Sequence, residues 1–515
     1  MTIAEWFVFF LILQVVHFAG TWKLYKEAGY KSWQALVPIY NAIILMKIIN
    51  RPTWWTILLF IPIVNIIMFP VVWVETIRSF GKNNTIDTIL VLLTLGFYIY
   101  YINYTQKVTH VTDRSLISKT KTGDTISSLL FAIVVATIVH TYIMQPFTIP
   151  TPSLEKTLLV GDFLFVSKFH YGARVPMTTV AAPMVHDSIP FTHQKSYSNW
   201  PQLPYFRFPG FQKIERNDIV VFNWPVDTVY KFFDKSGRKA LKPIDKKSNY
   251  VKRCVGIPGD EITSKDGVLF VDGKQLILPE RARPQFSYDV KTDVPTQFDP
   301  AYLLELGVSQ NSYGYMNEAG DSIRFTALTE ESFNRLKSNP AIKSIKRNIL
   351  SEVDGKFFPK EKNWTPDNFG PLYIPQQGKT VALNTETLPF YKRLISVYEH
   401  HDLKVSGNEI RIDGKVATSY TFGQNYYWMM GDNRHNSEDS RFWGFVPEDH
   451  IVGKPVFLWM SWDSNGKGLN KIRWERLFTT VGGEGQPYSY FKFFLIALAA
   501  YFGITFFLNK RREKA

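Results

Sequence analysis

Two apolar runs bracket the long middle of the chain, one at residues 126–144 and one at residues 491–508. A helix needs about 20 mostly apolar residues to cross roughly 30 Å of hydrocarbon, and both runs come close to that length. Lys107, Arg114, Lys119 and Lys121 precede the first run, and Lys510, Arg511, Arg512 and Lys514 follow the second. Basic flanks stay on the cytoplasmic side. The first run is therefore expected to leave the cytoplasm and the second to return to it. Everything between, residues 145–490, is expected outside the cytoplasm.

Residues 7–19, 54–73 and 86–102 are further candidate spans. No basic residue precedes the first of them, so it does not read as a cleavable signal peptide. Residues 35–49 are apolar but contain Pro38, Asn41 and Lys47. They read either as a span or as a re-entrant or interfacial segment, and counting them as a span reverses the side of Met1. The net charge of +14 is concentrated enough beside these runs to be explained by anionic headgroups. No nucleic-acid motif accompanies it, so nucleic acid is not an expected partner. A single cysteine, Cys254, excludes an intrachain disulfide and a cysteine-based metal site.

The middle reads as a mainly β outer domain. Residues 217–223, 426–430 and 455–462 have strand character, and Asp272-Gly273 and Asp413-Gly414 supply hairpin turns. Residues 278–383 break this pattern and include a helical stretch at 329–337, so they read as an inserted α+β subdomain. Residues 174–209 read as a long loop. The expected division is a polytopic membrane domain at 1–114, a cytoplasmic linker and outward anchor at 115–145, an outer domain at 146–486, and a helix with a basic tail at 487–515.

Three segments carry chemistry. Residues 145–172 follow the outward run directly, and Pro146, Pro150 and Pro152 hold Thr151 and Ser153 in extended backbone near the membrane. Residues 249–262 place Lys252 in an apolar, strand-like run. Alternation puts Lys252 and Cys254 on one face and Val251 and Arg253 on the other. Burial there would lower the lysine pKa and leave a neutral amine able to take a proton, whereas a lysine at a sheet edge would snorkel to solvent. Residues 429–454 turn at Gly431, Asp432 and Asn433 and then run through dense polar residues. Asp432, His435, Glu438 and Asp439 could ligate a metal, but one histidine at this spacing matches no common zinc pattern.

Together the strings KRCVGIPGD and GDNRHNSEDSRFWGFVP, in this order behind an outward helix, resemble the conserved boxes of bacterial type I signal peptidases, also called leader peptidases. The resemblance implies that family's β fold and a Ser/Lys serine endopeptidase of the bacterial inner membrane, multi-pass, with its catalytic domain outside. Its implied substrates are exported preproteins, cut after small residues in an Ala-x-Ala-like pattern. It implies Ser153 as nucleophile and Lys252 as general base. Thr151 would help bind the oxyanion, Ser437 would hydrogen-bond the lysine, and Asp439 and Arg441 would form an ion pair propping the loop. Ile149, Leu154, Leu158 and Val251 are expected to line the substrate pockets. No cofactor is required, and the lipid bilayer and the neighbourhood of the secretion translocon are expected surroundings. Pro152, Leu154 and Lys156 depart from the family pattern around the serine. Residues 1–114 lie outside the resemblance and look like a small uncharacterised membrane domain. A soluble self-cleaving protease, a scaffold that has kept only the fold, and a transporter built on the N-terminal helices fit the membrane runs and the intact Ser153, Lys252 and Ser437 less well.

Overall fold

The computed structural model describes residues 1–117, 120–192, 194–230, 234, 236–308, 312–353 and 355–512. Lys119 and Lys514, counted above among the basic flanks, lie outside the described residues. The chain divides into two compact units. One comprises Met1–Met144, Ala173–Phe208 and Thr228–Lys246, and the other comprises Gln145–Gly172, Pro209–Asp227 and the chain from Lys247 onward.

The first unit is helical at its core. Thr2 caps the helix Ile3–Glu27, taking the Glu5 N–H on its hydroxyl while the Glu5 carboxylate takes the Thr2 N–H. This helix, Lys121–Ile143 and, in the other unit, Phe491–Arg511 are long and apolar enough to cross a membrane. Two expected spans are not continuous helices. Residues 54–73 split into Trp55–Leu58 and Val64–Ser79, with Ile63 at a φ of 70° between them. Residues 86–102 form Thr85–Leu93 and Tyr98–Thr105, bent by 118° at Leu95 and Gly96, both in the left-handed region. A Cβ at Gly96 would lie 2.8 Å from the Trp73 ring, so the close approach itself demands glycine. Within residues 35–49 the α-helix covers only Tyr40–Ile48. Glu75 is buried and pairs with Arg51 at 3.1 Å and Arg114 at 2.5 Å, so Arg114 is committed to a neighbour. The loop segments of this unit pack on its helices. The Trp6 indole N–H donates to the Gln202 carbonyl at 2.9 Å, and Ile63 packs with Ala181 and Tyr197.

The second unit is built on a sheet whose strands run in the spatial order Met144–Thr148, Asp162–Ser167, Ile451–Ser461, Ile219–Asn223, Asn249–Gly256, Tyr426–Met430 and Val446–Pro447. From Asp162–Ser167 onward neighbours are antiparallel. Ile219–Asn223 is buried along its whole length, which matches its unbroken apolar run. A second sheet carries Phe369–Tyr373, Glu261–Lys265, Val268–Val271 and Lys274–Gln275. Asp272-Gly273 and Asp413-Gly414 turn their hairpins with both residues at positive φ, the geometry that favours Asp-Gly.

The insertion has its own sheet, in the order Ile342–Arg347, Phe286–Thr292, Ser322–Leu328 and Tyr313–Tyr315. Its core centres on Val290, Phe298, Ile323, Phe325 and Leu336. The helix Glu330–Lys337 is capped by the Thr329 hydroxyl, with acidic residues in its first turn and basic ones in its last. The insertion is thus an α+β element with a separate hydrophobic centre, but it ends short of the expected residue 383: Phe369–Tyr373 and Thr380–Ala382 pair with Glu261–Lys265 and Ser419–Thr421, strands outside it.

Candidate active site

Pro152 opens a short 3₁₀ turn, Pro152–Leu154, behind Thr151 in extended backbone with φ −130° and ψ 151°. The turn is pinned from the facing loop, where the Asn433 N–H donates to the Ser153 carbonyl at 3.0 Å and the Asn433 side chain donates to the Pro152 carbonyl at 3.2 Å. Ser153 is thereby held as a buried hydroxyl rather than a solvated turn residue.

Lys252 comes from the strand Asn249–Gly256, opposite Val220 in register. Its Nζ donates to Ser153 Oγ at 2.6 Å, and it lies 5.3 Å from the Tyr250 ring centre. Ser153 is 6% exposed and Lys252 4%, so neither is a solvated side chain. Burial brings the lysine pKa down to about 8, although Asp439, Glu438 and Asp432 pull the other way. A Ser–Lys contact from residues 99 positions apart in sequence, with an amine near its titration point, can activate a nucleophile.

Alternation along the same strand sends Arg253 to the other face. There it forks onto Asp432 at 2.8 and 2.6 Å, with both side chains buried. Thr157, four residues beyond the serine, donates to the same carboxylate at 2.6 Å. Burial alone would raise the Asp432 carboxyl, but Arg253 holds it below its ordinary range. This triangle ties all three sequence segments together; from the sequence, Asp432 was weighed only as a metal ligand and Arg253 and Thr157 were given no role. The Arg after Lys252 and the Asp after Gly431 were its only signal.

Asp439 and Arg441 form a buried fork at 2.8 Å on each arm, and the Gly431 N–H donates to Asp439 at 3.0 Å. The expected hydrogen bond between Ser437 and Lys252 is not formed. The amine is engaged by Ser153, and Ser437 Oγ is buried with no partner among the described residues. Ser437 instead lies hard against the glycine backbone. A Cβ at Gly431 would sit 2.2 Å from Ser437 Oγ and 2.6 Å from the Ser153 carbonyl oxygen.

Thr151 is half-buried beside the turn, and its hydroxyl makes no capping bond there. Ile149, Leu154 and Leu158 are buried in one apolar cluster with Leu164, Ile219 and Leu458, and Val251 packs against it half-buried. The four expected pocket residues therefore meet in one place, three from the serine's segment and Val251 from the lysine's strand. Cys254 is buried among other apolar residues, and burial pushes its thiol well up. Of the four residues weighed as metal ligands, Asp432 and Asp439 are taken by arginines and His435 by Asp367. Among the described residues no group of three or more His, Cys, Asp or Glu is arranged to hold a metal.

Residues 122–322 and 374–462 match the family described as signal peptidase, peptidase S26, which is more than half of the chain. The chain belongs to the signal peptidase S26 family. It is a membrane-anchored serine endopeptidase of that family. Residues 33–113 match a separate family of unknown function, DUF5684. Similar proteins include the signal peptidase I of Buchnera aphidicola subsp. Schizaphis graminum, 26% identical over 343 residues, covering 66% of this chain and 75% of the relative. The signal peptidase I of Haemophilus influenzae is 25% identical over 370 residues, 69% of this chain and 75% of the relative. That of Helicobacter pylori strain 26695 is 26% identical over 371 residues, 69% of this chain and 92% of the relative. The family match skips residues 323–373, which lie within the insertion.

Proposed function

We propose that this peptidase removes signal peptides from exported preproteins, cutting after small residues in an Ala-x-Ala-like pattern, with Ser153 as nucleophile and neutral Lys252 as general base. The observation that carries the reading is the buried 2.6 Å contact between Lys252 Nζ and Ser153 Oγ. In the neutral amine the same contact runs the other way, the hydroxyl donating to the nitrogen lone pair. The amine takes the hydroxyl proton as Oγ attacks the scissile carbonyl, and it returns the proton to the leaving amine. Water then hydrolyses the acyl-enzyme.

Thr151 Oγ1 and the Ser153 N–H are the proposed oxyanion donors, each contributing about 2.7–4 kcal/mol in comparable sites. Ser437 is proposed to turn toward the amine when substrate draws the serine away. The Asp439–Arg441 pair holds the backbone that carries it. Ile149, Leu154, Leu158 and Val251 are the proposed walls for the small side chains. The bilayer presents the substrate, and the secretion translocon is a proposed neighbour.

The proposed topology puts residues 145–490 outside the cytoplasm. The basic residues before Lys121–Ile143 and after the C-terminal helix support it. The Trp6–Gln202 hydrogen bond supports placing Met1 on that same side.

The test is cleavage of a purified preprotein by the full-length enzyme in proteoliposomes, beside Ser153→Ala and Lys252→Ala. Both variants should be folded, membrane-inserted and inactive. Near-normal turnover by either one would remove the dyad.

A further inference from the structure

The loop that carries Ser437 is clasped by the insertion from two sides. On one side Gln285 pairs with its backbone. The Gln285 N–H donates to the Asp432 carbonyl at 2.9 Å, and the Arg434 N–H returns to the Gln285 carbonyl at 3.0 Å. The Gln285 side-chain amide reaches the Glu155 carbonyl at 2.6 Å, just beyond the serine. On the other side the Phe358 N–H donates to the Arg441 carbonyl at 2.7 Å, and Arg441 reaches the Pro366 carbonyl at 3.4 Å.

His435 joins the two sides. Its Nδ1 accepts the Ser287 N–H at 3.0 Å, which fixes the tautomer with the proton on Nε2. That proton points at Asp367, with both carboxylate oxygens at 3.0 Å. A histidine in a polar turn is ordinarily solvated, yet here the His435 and Asp367 side chains are 5% and 1% exposed. Asp367 is itself fixed, because its carboxylate accepts the Leu350 N–H at 2.8 Å and its carbonyl accepts the Gly267 N–H at 2.7 Å. Ser287 and Asp367 are 80 residues apart in the chain and both belong to the insertion. One imidazole two residues before Ser437 therefore joins the strand Phe286–Thr292 to the bend that carries Asp367.

We infer that His435 is a positioning residue for the reaction, and that the insertion serves the chemistry by holding the Ser437 loop in register through the Ser287–His435–Asp367 bridge. This rests on the Ser153–Lys252 reading above. Displacing a catalytic loop by about 1 Å costs on the order of 100-fold in rate, while ground-state binding of an extended peptide elsewhere is untouched.

The experiment measures kcat and KM of the full-length enzyme on a preprotein for His435→Ala, Asp367→Ala, their combination and His435→Gln, with circular dichroism and the thermal midpoint recorded for each. Losing the bridge should lower kcat about 10- to 100-fold and leave KM within about twofold. The double variant should be no worse than the poorer single one, because one bridge is removed once. His435→Gln can accept from Ser287 and donate to Asp367, so it should recover most of the rate. Wild-type kcat in folded His435→Ala or folded Asp367→Ala overturns the inference, and so does a folded His435→Gln as slow as the alanine variant. If His435→Ala does not fold, wild-type kcat in Asp367→Ala or an Asp367→Ala-like loss in folded His435→Gln overturns the inference. Wild type and Ser153→Ala run beside them. Cleavage that survives Ser153→Ala overturns the dyad reading itself, whereas Ser153-dependent cleavage indifferent to His435 overturns only the bridge.

Discussion

A lysine amine in the middle of a strand, where that strand becomes buried, loses hydration of its charged form, and the pKa of about 8 for Lys252 is the result. The sign follows directly. Below pH 8 the amine is mostly protonated and cannot act as a base, so kcat/KM should rise about tenfold per pH unit there and level off above it. A profile flat from pH 6 to 10 would remove the lysine as base. Lys252→Arg should be inactive at every pH, since a guanidinium stays charged. Gly431 is the second pressure point. Gly431→Ala would drive a methyl into Ser437 Oγ and the Ser153 carbonyl, and the turnover should drop about 100-fold. Wild-type turnover in that variant would show that the loop yields without cost. The Ser153, Lys252 and Asp439–Arg441 positions were legible from local strings. The unpaired state of Ser437 was not, because which neighbour a short hydroxyl faces depends on backbone spacing that no string encodes.

Elements with their own stop signals were read well from sequence. The Asp-Gly hairpins and the Thr329-capped helix carry local chemistry that fixes φ or supplies a cap. At residues 54–73 and 86–102 apolar composition alone did not reveal that the helices are broken, since it reports how much surface wants burial but not where the chain turns. The breaks at Ile63 and Leu95 sit at non-glycine residues with positive φ; Ile63 packs on Ala181 and Tyr197, and Gly96 lies against the Trp73 ring, neighbours that are not local in sequence. The insertion was legible as an α+β element, but its grip on residues 432–441 depends on pairs far apart in sequence. A similar tie begins the insertion. Arg281 donates to the carbonyls of Thr480, Gly482, Glu484 and Gly485, in the loop that leads to the C-terminal helix. Arg281→Ala should cost about 1–3 kcal/mol of unfolding free energy, read by denaturant titration, and should expose residues 480–485 to rapid amide exchange. Unchanged protection of that loop would show the tie to be dispensable.

At the scale of the whole molecule, the chain joins a helical unit, of which residues 33–113 match a family of unknown function, to a catalytic unit that ends in an apolar helix. The side of Met1 is a direct test of the proposed arrangement. In a Cys254→Ala background, Thr2→Cys should react with a membrane-impermeant maleimide added to intact cells. Labelling only after permeabilisation would reverse the first helix. Ser153 lies only nine positions after Met144, where the apolar helix Lys121–Ile143 gives way to a strand. Such a stretch reaches at most about 30 Å when fully drawn out. On the proposed reading, a nucleophile on so short a leash works within one bilayer's thickness of the lipid. Enzyme and substrate then meet by lateral diffusion in a sheet, and crowding of the membrane, rather than bulk concentration, sets how often they collide.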